Sequence, residues 1–124
     1  MGRSPIRRGT VGAAALAAAL TGCVSYAQLY APDGTLDEAR AAAIGHTLYR
    51  RRCALCHTPF EPSQYAMAAW DGQLRKYGAR AGLTREERRF VRLYLDSHAP
   101  DGERRTRLAA ATAAVPVASD GRDG

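Results

Sequence analysis

Lysine and large side chains are scarce in this chain of 124 residues. Lys76 is the single lysine, and all other basic residues are arginine. Two Phe, one Trp and six Tyr supply the aromatic bulk, while 25 residues are alanine, so the 46% of apolar residues overstates the available core. These shortages exclude a large sheet protein, a protein with many membrane spans and a two-part nucleotide-binding fold. The length allows one small domain at most.

No apolar run is long enough to span a bilayer, for which a helix needs roughly 20 residues. The longest run covers residues 11–20 and is mostly alanine. It follows a positively charged stretch that contains Arg3, Arg7 and Arg8. A charged stretch followed by a short apolar run is typical of a cleaved export signal. The sequence therefore predicts a signal peptide.

The apolar run ends in Leu20-Thr21-Gly22-Cys23, which resembles the lipobox of bacterial lipoproteins. The resemblance implies that residues 1–22 are a lipoprotein signal peptide and that Cys23 is acylated and becomes the first mature residue. Residues 23–34 are then expected to form a tether. We expect the protein to lie in the bacterial cell envelope, bound to a membrane by its N-terminal lipid on the periplasmic or extracytoplasmic face. The alternative is an ordinary secretory signal followed by a free thiol.

The charge of the mature chain is modest. The full sequence has 18 basic and 12 acidic residues, a net charge of +6. Cleavage removes three arginines and no acidic residue, which leaves 15 basic against 12 acidic residues, or about +3. Apart from residues 50–52, no dense basic run remains, so we expect no nucleic-acid partner.

The motif Cys53-Ala54-Leu55-Cys56-His57 carries the most specific chemistry. The C-x-x-C-H spacing is typical of covalent haem attachment. Cys53 and Cys56 can each form a thioether with one vinyl group of the same porphyrin, and His57 can be the proximal ligand of the iron. The sequence therefore predicts one covalently attached haem c. A backbone carbonyl near His57, such as that of Pro59 or Pro62, is expected to accept a hydrogen bond from Nδ1.

Three other interpretations of the cysteine pair stay open. A dithiol redox site needs a thioredoxin-like fold with βαβ units, of which the sequence shows no sign. A zinc site needs a second pair of ligands at a suitable spacing, which the sequence lacks. The third interpretation is a structural disulfide or chance. Export favours haem, because bacterial haem attachment takes place on the outer side of the membrane.

The flanks of the motif resemble a known haem family. The stretch Gly45-His46-Thr47-Leu48-Tyr49 is similar to the G-x-x-L-[YF]-x-x-x-C-x-x-C-H pattern of small monohaem class I-type cytochromes c. Residues 90–95 resemble the C-terminal helix of that family, and the likeness covers about residues 36–99. It implies an all-α fold, in which a three-helix cytochrome c-like domain wraps around one haem. It also implies an electron carrier rather than an enzyme.

Local signals agree with three helices and no strands. Thr35 and Glu38 have the spacing of a capping box, so a first helix is expected from there to about Arg52. Thr84 and Glu87 have the same spacing and predict the start of the third helix. The apolar stripe of that helix is expected to consist of Phe90, Val91, Tyr94 and Leu95.

A glycine lies in the middle of the first predicted helix. Gly45 costs roughly 1 kcal/mol relative to alanine at such a position. The class I-type resemblance implies that it permits a close crossing by the C-terminal helix, under Phe90 or Tyr94.

The haem domain is expected over residues 35–99. Residues 100–124 lack large apolar side chains and are expected to be disordered.

The second helix is expected over about residues 64–77. Met67, Trp70, Leu74 and Tyr77 share one of its faces at a period of 3.6 residues. This face is either an ordinary packing surface or a wall of the haem site. In the second case Trp70 and Tyr77 contact the cofactor.

The sixth ligand of the iron separates the candidate functions. Class I-type cytochromes use a methionine well downstream of the proximal histidine, and the one candidate here is Met67, ten residues after His57. An open site is the alternative, and other possible ligands are His46, His98, Lys76 and Tyr77. A strong sixth ligand favours electron transfer with redox partner proteins of the envelope. An open or weak site favours gas binding, as a sensor or an oxidoreductase subunit, and a third hypothesis is a structural lipoprotein subunit that carries haem.

Overall fold

Four α-helices make up the fold in the computed structural model, which describes residues 25–114. In chain order they are α1 Glu38–Arg52, α2 Met67–Tyr77, α3 Arg85–Asp96 and α4 Glu103–Ala113. Short 3-10 turns lie at Ala27–Leu29, Cys53–Leu55 and Pro62–Gln64. The described residues form no strand, so the predicted all-α class is confirmed, with four helices where three were expected. The signal peptide, Cys23 and residues 115–124 lie outside the described range.

The helices of the described range are short, and each contains both polar and apolar residues. None of those between residues 25 and 114 combines the length and the apolar composition needed to cross a membrane. Their apolar faces instead meet in a core between α1, α2 and α3. The fully buried large side chains are Phe90, Val91 and Leu95 of α3, three members of the apolar stripe that the sequence predicts for this helix.

The helices α1 and α3 cross at Gly45. A Cβ atom at this position would overlap the carbonyl group of Phe90 and lie 2.8 Å from the backbone nitrogen of Val91. Only a residue without a side chain lets the two backbones approach so closely. The prediction that Gly45 lies under Phe90 is confirmed.

The start of α3 follows the sequence prediction. The Thr84 hydroxyl accepts a hydrogen bond from the Glu87 backbone N–H at 3.1 Å. The Glu87 carboxylate accepts one in return from the Thr84 backbone N–H at 2.8 Å. This reciprocal pair is the predicted capping box.

The start of α1 differs from the prediction. Its N-cap is Asp37, whose side chain accepts from the backbone N–H of Arg40 at 3.0 Å. Thr35 instead lies in the turn before the helix, where its carbonyl accepts from the backbone N–H of Ala31 at 2.8 Å. The capping box predicted at Thr35 is therefore wrong, because the turn uses the Thr35 backbone and the helix begins after it.

The helix α4 lies where we expected disorder. Both carboxylate oxygens of Asp96 cap it, accepting from the backbone N–H groups of Glu103 and Arg104 at 3.0 Å each. The Arg104 guanidinium is almost buried and contacts Glu38 of α1 at 2.9 Å. Order in this alanine-rich segment thus comes from polar contacts with distant residues rather than from apolar bulk. For residues 103–113 the prediction of a disordered tail is wrong.

The segment before α1 packs on the domain. Leu29 is buried in a cluster with Ala41 and Phe90. The Tyr26 ring meets the Phe90 ring edge-on, with 4.9 Å between centroids. The part of the predicted tether from Tyr26 onward therefore belongs to the folded unit.

Candidate functional site

The C-x-x-C-H motif lies directly after α1. The helix ends at Arg52, the 3-10 turn Cys53–Leu55 follows, and Cys56 and His57 come next. Both cysteines are free thiols, with Cys53 half-buried and Cys56 exposed. Burial, and to a smaller extent the neighbouring Cys56, raises the pKa of the Cys53 thiol. The turn therefore presents two unpaired thiols and an imidazole within five residues.

The His57 ring has a defined backbone partner. Its Nδ1 atom lies 2.8 Å from the carbonyl oxygen of Thr58. With the proton on Nδ1 this contact is a hydrogen bond, and Nε2 is then the atom available to a metal. The carbonyls of Pro59 and Pro62, which the sequence offers for this role, do not fill it. The partner of Nδ1 is the Thr58 carbonyl, while the Pro62 carbonyl accepts from Trp70 Nε1 at 2.9 Å.

Apolar side chains next to the motif are open to solvent. Leu55 is 71% exposed, Phe60 is 48% exposed and Tyr65 is 42% exposed. Phe60 and Tyr65 are also neighbours, with 5.6 Å between their ring centroids, and contiguous exposed apolar groups are typical of a surface that binds a ligand or a partner. Free thiols, an available imidazole nitrogen and an apolar surface together fit a covalently attached porphyrin.

A series of aromatic rings connects the motif to the core. Ring centroids are 5.2 Å apart for His57 and Phe60, and 5.6 Å for Phe60 and Tyr65. The series continues from Tyr65 to Trp70 at 5.5 Å and from Trp70 to Tyr49 at 6.0 Å. Trp70, a predicted cofactor-binding residue, thus lies one ring behind the exposed surface and is itself buried.

Two hydrogen bonds hold the loop that follows the motif. The buried Tyr49 of α1 donates its hydroxyl to the carbonyl oxygen of Phe60 at 2.6 Å. Nε1 of Trp70 in α2 donates to the carbonyl oxygen of Pro62 at 2.9 Å. These bonds position Phe60 and Tyr65, which sequence reasoning missed. Their position gave a signal that could have found them, because they are two of the few aromatic residues of the chain and follow the motif closely.

Met67 and Tyr77 lie apart within α2. The Met67 side chain is buried in the core cluster with Tyr49 and Trp70, and its backbone N–H donates to Asp101 at 2.8 Å. Ligation of iron by Met67 stays a prediction. Tyr77, at the last position of α2, is 43% exposed. The aromatic series from His57 does not include it, and its role as a cofactor-binding residue also stays a prediction.

The other candidate ligands lie at two further places. His46 and His98 are both exposed, and each ring lies 4.7 Å from the ring of Tyr94. The structure therefore brings these two histidines to the same tyrosine. The ring of Tyr94 in turn lies 5.7 Å from the ring of Tyr49, measured between centroids. Lys76 places its Nζ atom 5.0 Å from the ring centre of Tyr77.

Comparison with known proteins identifies one match. The sequence model of a family described as dihaem cytochrome c matches residues 49–119, more than half of the chain. The matched segment includes the C-x-x-C-H motif once, together with Phe60, Tyr65 and Trp70. No curated protein and no solved structure matches the chain.

Proposed function

Since this chain belongs to the dihaem cytochrome c family, we propose that it is a lipid-anchored, periplasmic electron carrier that holds a single haem c. Membership supports a c-type cytochrome domain, haem c binding and electron transfer. The segment that matches the family contains one attachment motif, so we assign one covalent haem to this chain. The observation that carries the proposal is the exposed apolar surface beside two free thiols and His57.

Each residue of the motif has a separate task in this proposal. The thiols of Cys53 and Cys56 would add to the two vinyl groups, so that sulfur bonds to carbon and the thiol hydrogen goes to the adjacent carbon. His57 would hold the metal through Nε2, with the Thr58 carbonyl fixing the ring at Nδ1–H. When bound, the haem iron carries one electron by cycling between its ferrous and ferric states.

The surrounding side chains make the site dry and rigid. Leu55 within the motif, and Phe60 and Tyr65 after it, would supply apolar contact to the cofactor and exclude water from it. Tyr49 and Trp70 hold the loop in place through their bonds to Phe60 and Pro62. Two thioethers, with the imidazole held by the Thr58 carbonyl, would limit rearrangement around the metal, and this would suit outer-sphere electron transfer.

The envelope location completes the proposal. The lipobox-like sequence before Cys23 supports a lipid anchor, and export supports a compartment in which haem is attached. The partners are then redox proteins of the envelope, because an anchored carrier meets donors and acceptors at the same membrane.

A redox titration of the purified holoprotein tests this function. We expect one reversible one-electron wave per chain and fast reduction by a small electron donor. The matched control is Cys53→Ala with Cys56→Ala, which we expect to lack the wave. A chain that holds haem but does not exchange electrons reversibly would contradict the proposal.

The burial of Met67 favours a second candidate function. If Met67 stays in the core, no other methionine follows His57 to take the place of the class I-type ligand. Unless His46, His98, Lys76 or Tyr77 serves instead, the site would hold a metal with an open position, which would suit gas binding in a sensor or an oxidoreductase subunit. Rapid binding of carbon monoxide to the reduced protein would favour this candidate over the electron carrier.

A further inference from the structure

Arginines from α2 and α3 surround an open groove on the side of the molecule where the chain enters the domain. We propose that this arginine groove docks on the anionic phospholipid headgroups of the membrane that holds the lipid of Cys23. The inference deepens the proposed function and rests on its lipid anchor. The arginines that line the groove are Arg75, Arg85, Arg88, Arg89 and Arg92.

The groove is strongly basic. It has a volume of about 700 Å³, and two acidic residues, Asp71 and Glu86, lie among its five arginines. Asp71 pairs with Arg92 at 2.8 Å, and Glu86 accepts a hydrogen bond from the Tyr30 hydroxyl at 2.8 Å. The remaining four arginines leave a clear excess of positive charge. Guanidinium groups match phosphate oxygens in geometry as well as in charge.

The stability of α3 does not explain where these arginines lie. Arg85 is the first residue of α3, where positive charge opposes the helix dipole. Arg88 and Arg89 follow it by three and four residues, a spacing at which like charges destabilise a helix. Of the two acidic residues there, Glu87 is engaged in the capping box and Glu86 in the bond to Tyr30. Because this clustering disfavours the isolated helix, an anionic binding partner is a better explanation of it.

The path of the chain brings the proposed lipid close to this groove. Tyr26 donates its hydroxyl to Glu87 at 3.0 Å, and Tyr30 is itself part of the groove wall. Cys23 is three residues before Tyr26, so it can lie no farther than about 11 Å from it along an extended chain. An acyl chain on Cys23 therefore enters the bilayer near the start of α3.

This proximity favours a lipid surface over an acidic protein as the partner. Once the anchor is inserted, headgroups stay within reach of the groove at all times, whereas a soluble partner has to diffuse to it. Each arginine near an anionic surface contributes about fivefold to binding, so several are needed to hold an orientation. The four arginines without a described acidic partner meet that need.

Vesicle flotation of the holoprotein tests the docking surface separately from the anchor. The mature chain carrying Cys23→Ser is exported with an ordinary cleavable signal, so that it is haem-loaded but not acylated. Its binding is measured to vesicles of phosphatidylcholine alone and to vesicles containing phosphatidylglycerol, at low and at high salt. Visible absorbance of the same samples confirms that the cytochrome is loaded.

Two variants with equal charge loss locate the surface. Arg85→Gln with Arg89→Gln removes two exposed arginines of the groove, and Arg50→Gln with Arg105→Gln removes two exposed arginines elsewhere. We expect salt-sensitive binding to phosphatidylglycerol vesicles only, weakened roughly 30-fold in the groove variant and much less in the control. Equal weakening in both variants, or no binding to anionic vesicles, would overturn the proposal.

Two further outcomes separate this inference from its alternatives. Unchanged vesicle binding by the groove variant, with slower and salt-sensitive electron exchange with an acidic redox protein, would overturn it in favour of a protein partner. The natively processed chain is tested on neutral vesicles in parallel. If it fails to float, the proposed anchor at Cys23 is wrong, and this result is independent of the outcome for the groove.

Discussion

Gly45 of α1 and Phe90 of α3 are in backbone contact where their helices cross. A Cβ atom at position 45 would overlap the Phe90 carbonyl. Because the obstacle is backbone rather than a flexible side chain, the helices must separate to admit a methyl group. This crossing holds α1, which leads into the attachment motif, against the most buried helix of the domain.

We therefore expect Gly45→Ala to destabilise the protein by about 3 kcal/mol. The control is Gly72→Ala in α2, where an added Cβ meets only the Arg75 side chain at 3.9 Å. That change replaces glycine within a helix and is expected to raise the free energy of unfolding by about 0.5 to 1 kcal/mol. Denaturant unfolding of the wild-type holoprotein and of each variant measures these two changes in the free energy of unfolding. Equal effects of the two substitutions would contradict the close crossing.

Asp96 is expected to control the order of α4. Asp96→Ala removes both acceptors from the backbone N–H groups of Glu103 and Arg104, and loss of such a cap costs about 1 kcal/mol. We expect the amides of α4 to lose protection in hydrogen exchange while those of α3 keep it. Asp96→Asn retains one carbonyl acceptor and should show an intermediate loss. Unchanged protection of α4 in Asp96→Ala would show that other contacts hold the helix.

Tyr26 is expected to make the free energy of unfolding of the protein depend on pH in the alkaline range. Burial, followed by its bond to Glu87, raises the pKa of Tyr26 to about 12, against about 10 for an unfolded tyrosine. Its contribution is therefore complete below pH 10 and is lost as the pH rises from 10 to 12. We expect Tyr26→Phe to lose less stability than the wild type across this interval. Identical pH profiles of the free energy of unfolding would contradict the assigned environment of the hydroxyl.

Substitution of Met67 separates packing from ligation, and its burial in the core cluster leads us to expect packing. Met67→Leu conserves volume and should cost less than about 1.5 kcal/mol, while Met67→Ala should cost about 2 to 5 kcal/mol. We expect the visible spectrum of Met67→Leu to match that of the wild type in both oxidation states. A changed ferric spectrum in Met67→Leu, with an unchanged melting temperature, would instead identify Met67 as the sixth ligand.

The sequence alone was enough to predict those features that depend on residues close together along the chain. The box at Thr84 and Glu87 starts α3 as predicted, because both partners lie within one turn. The apolar stripe of α3 was equally predictable, since a period of 3.6 residues needs no knowledge of the partner helix. Gly45 was predictable through the family resemblance, which supplied the crossing helix.

Features that depend on distant residues could not be predicted from the sequence. The order of α4 depends on Asp96 and on Glu38, which lies 66 residues before Arg104. The helix composition alone, with much alanine and no large anchor, gave no sign of either contact. The carbonyl that orients His57 was also missed, because several carbonyls near a motif are equivalent until the loop geometry is known. The exposure of Phe60 and Tyr65 likewise depends on how the loop is tied to Tyr49.

The intact mass of the mature protein, made in a host that attaches haem, tests the central claim most directly. The account predicts a gain of one haem per chain that survives denaturation and acidic acetone, and its loss in Cys53→Ala with Cys56→Ala. A mature chain that weighs no more than its polypeptide and lipid, and that shows no haem absorbance, would contradict the account.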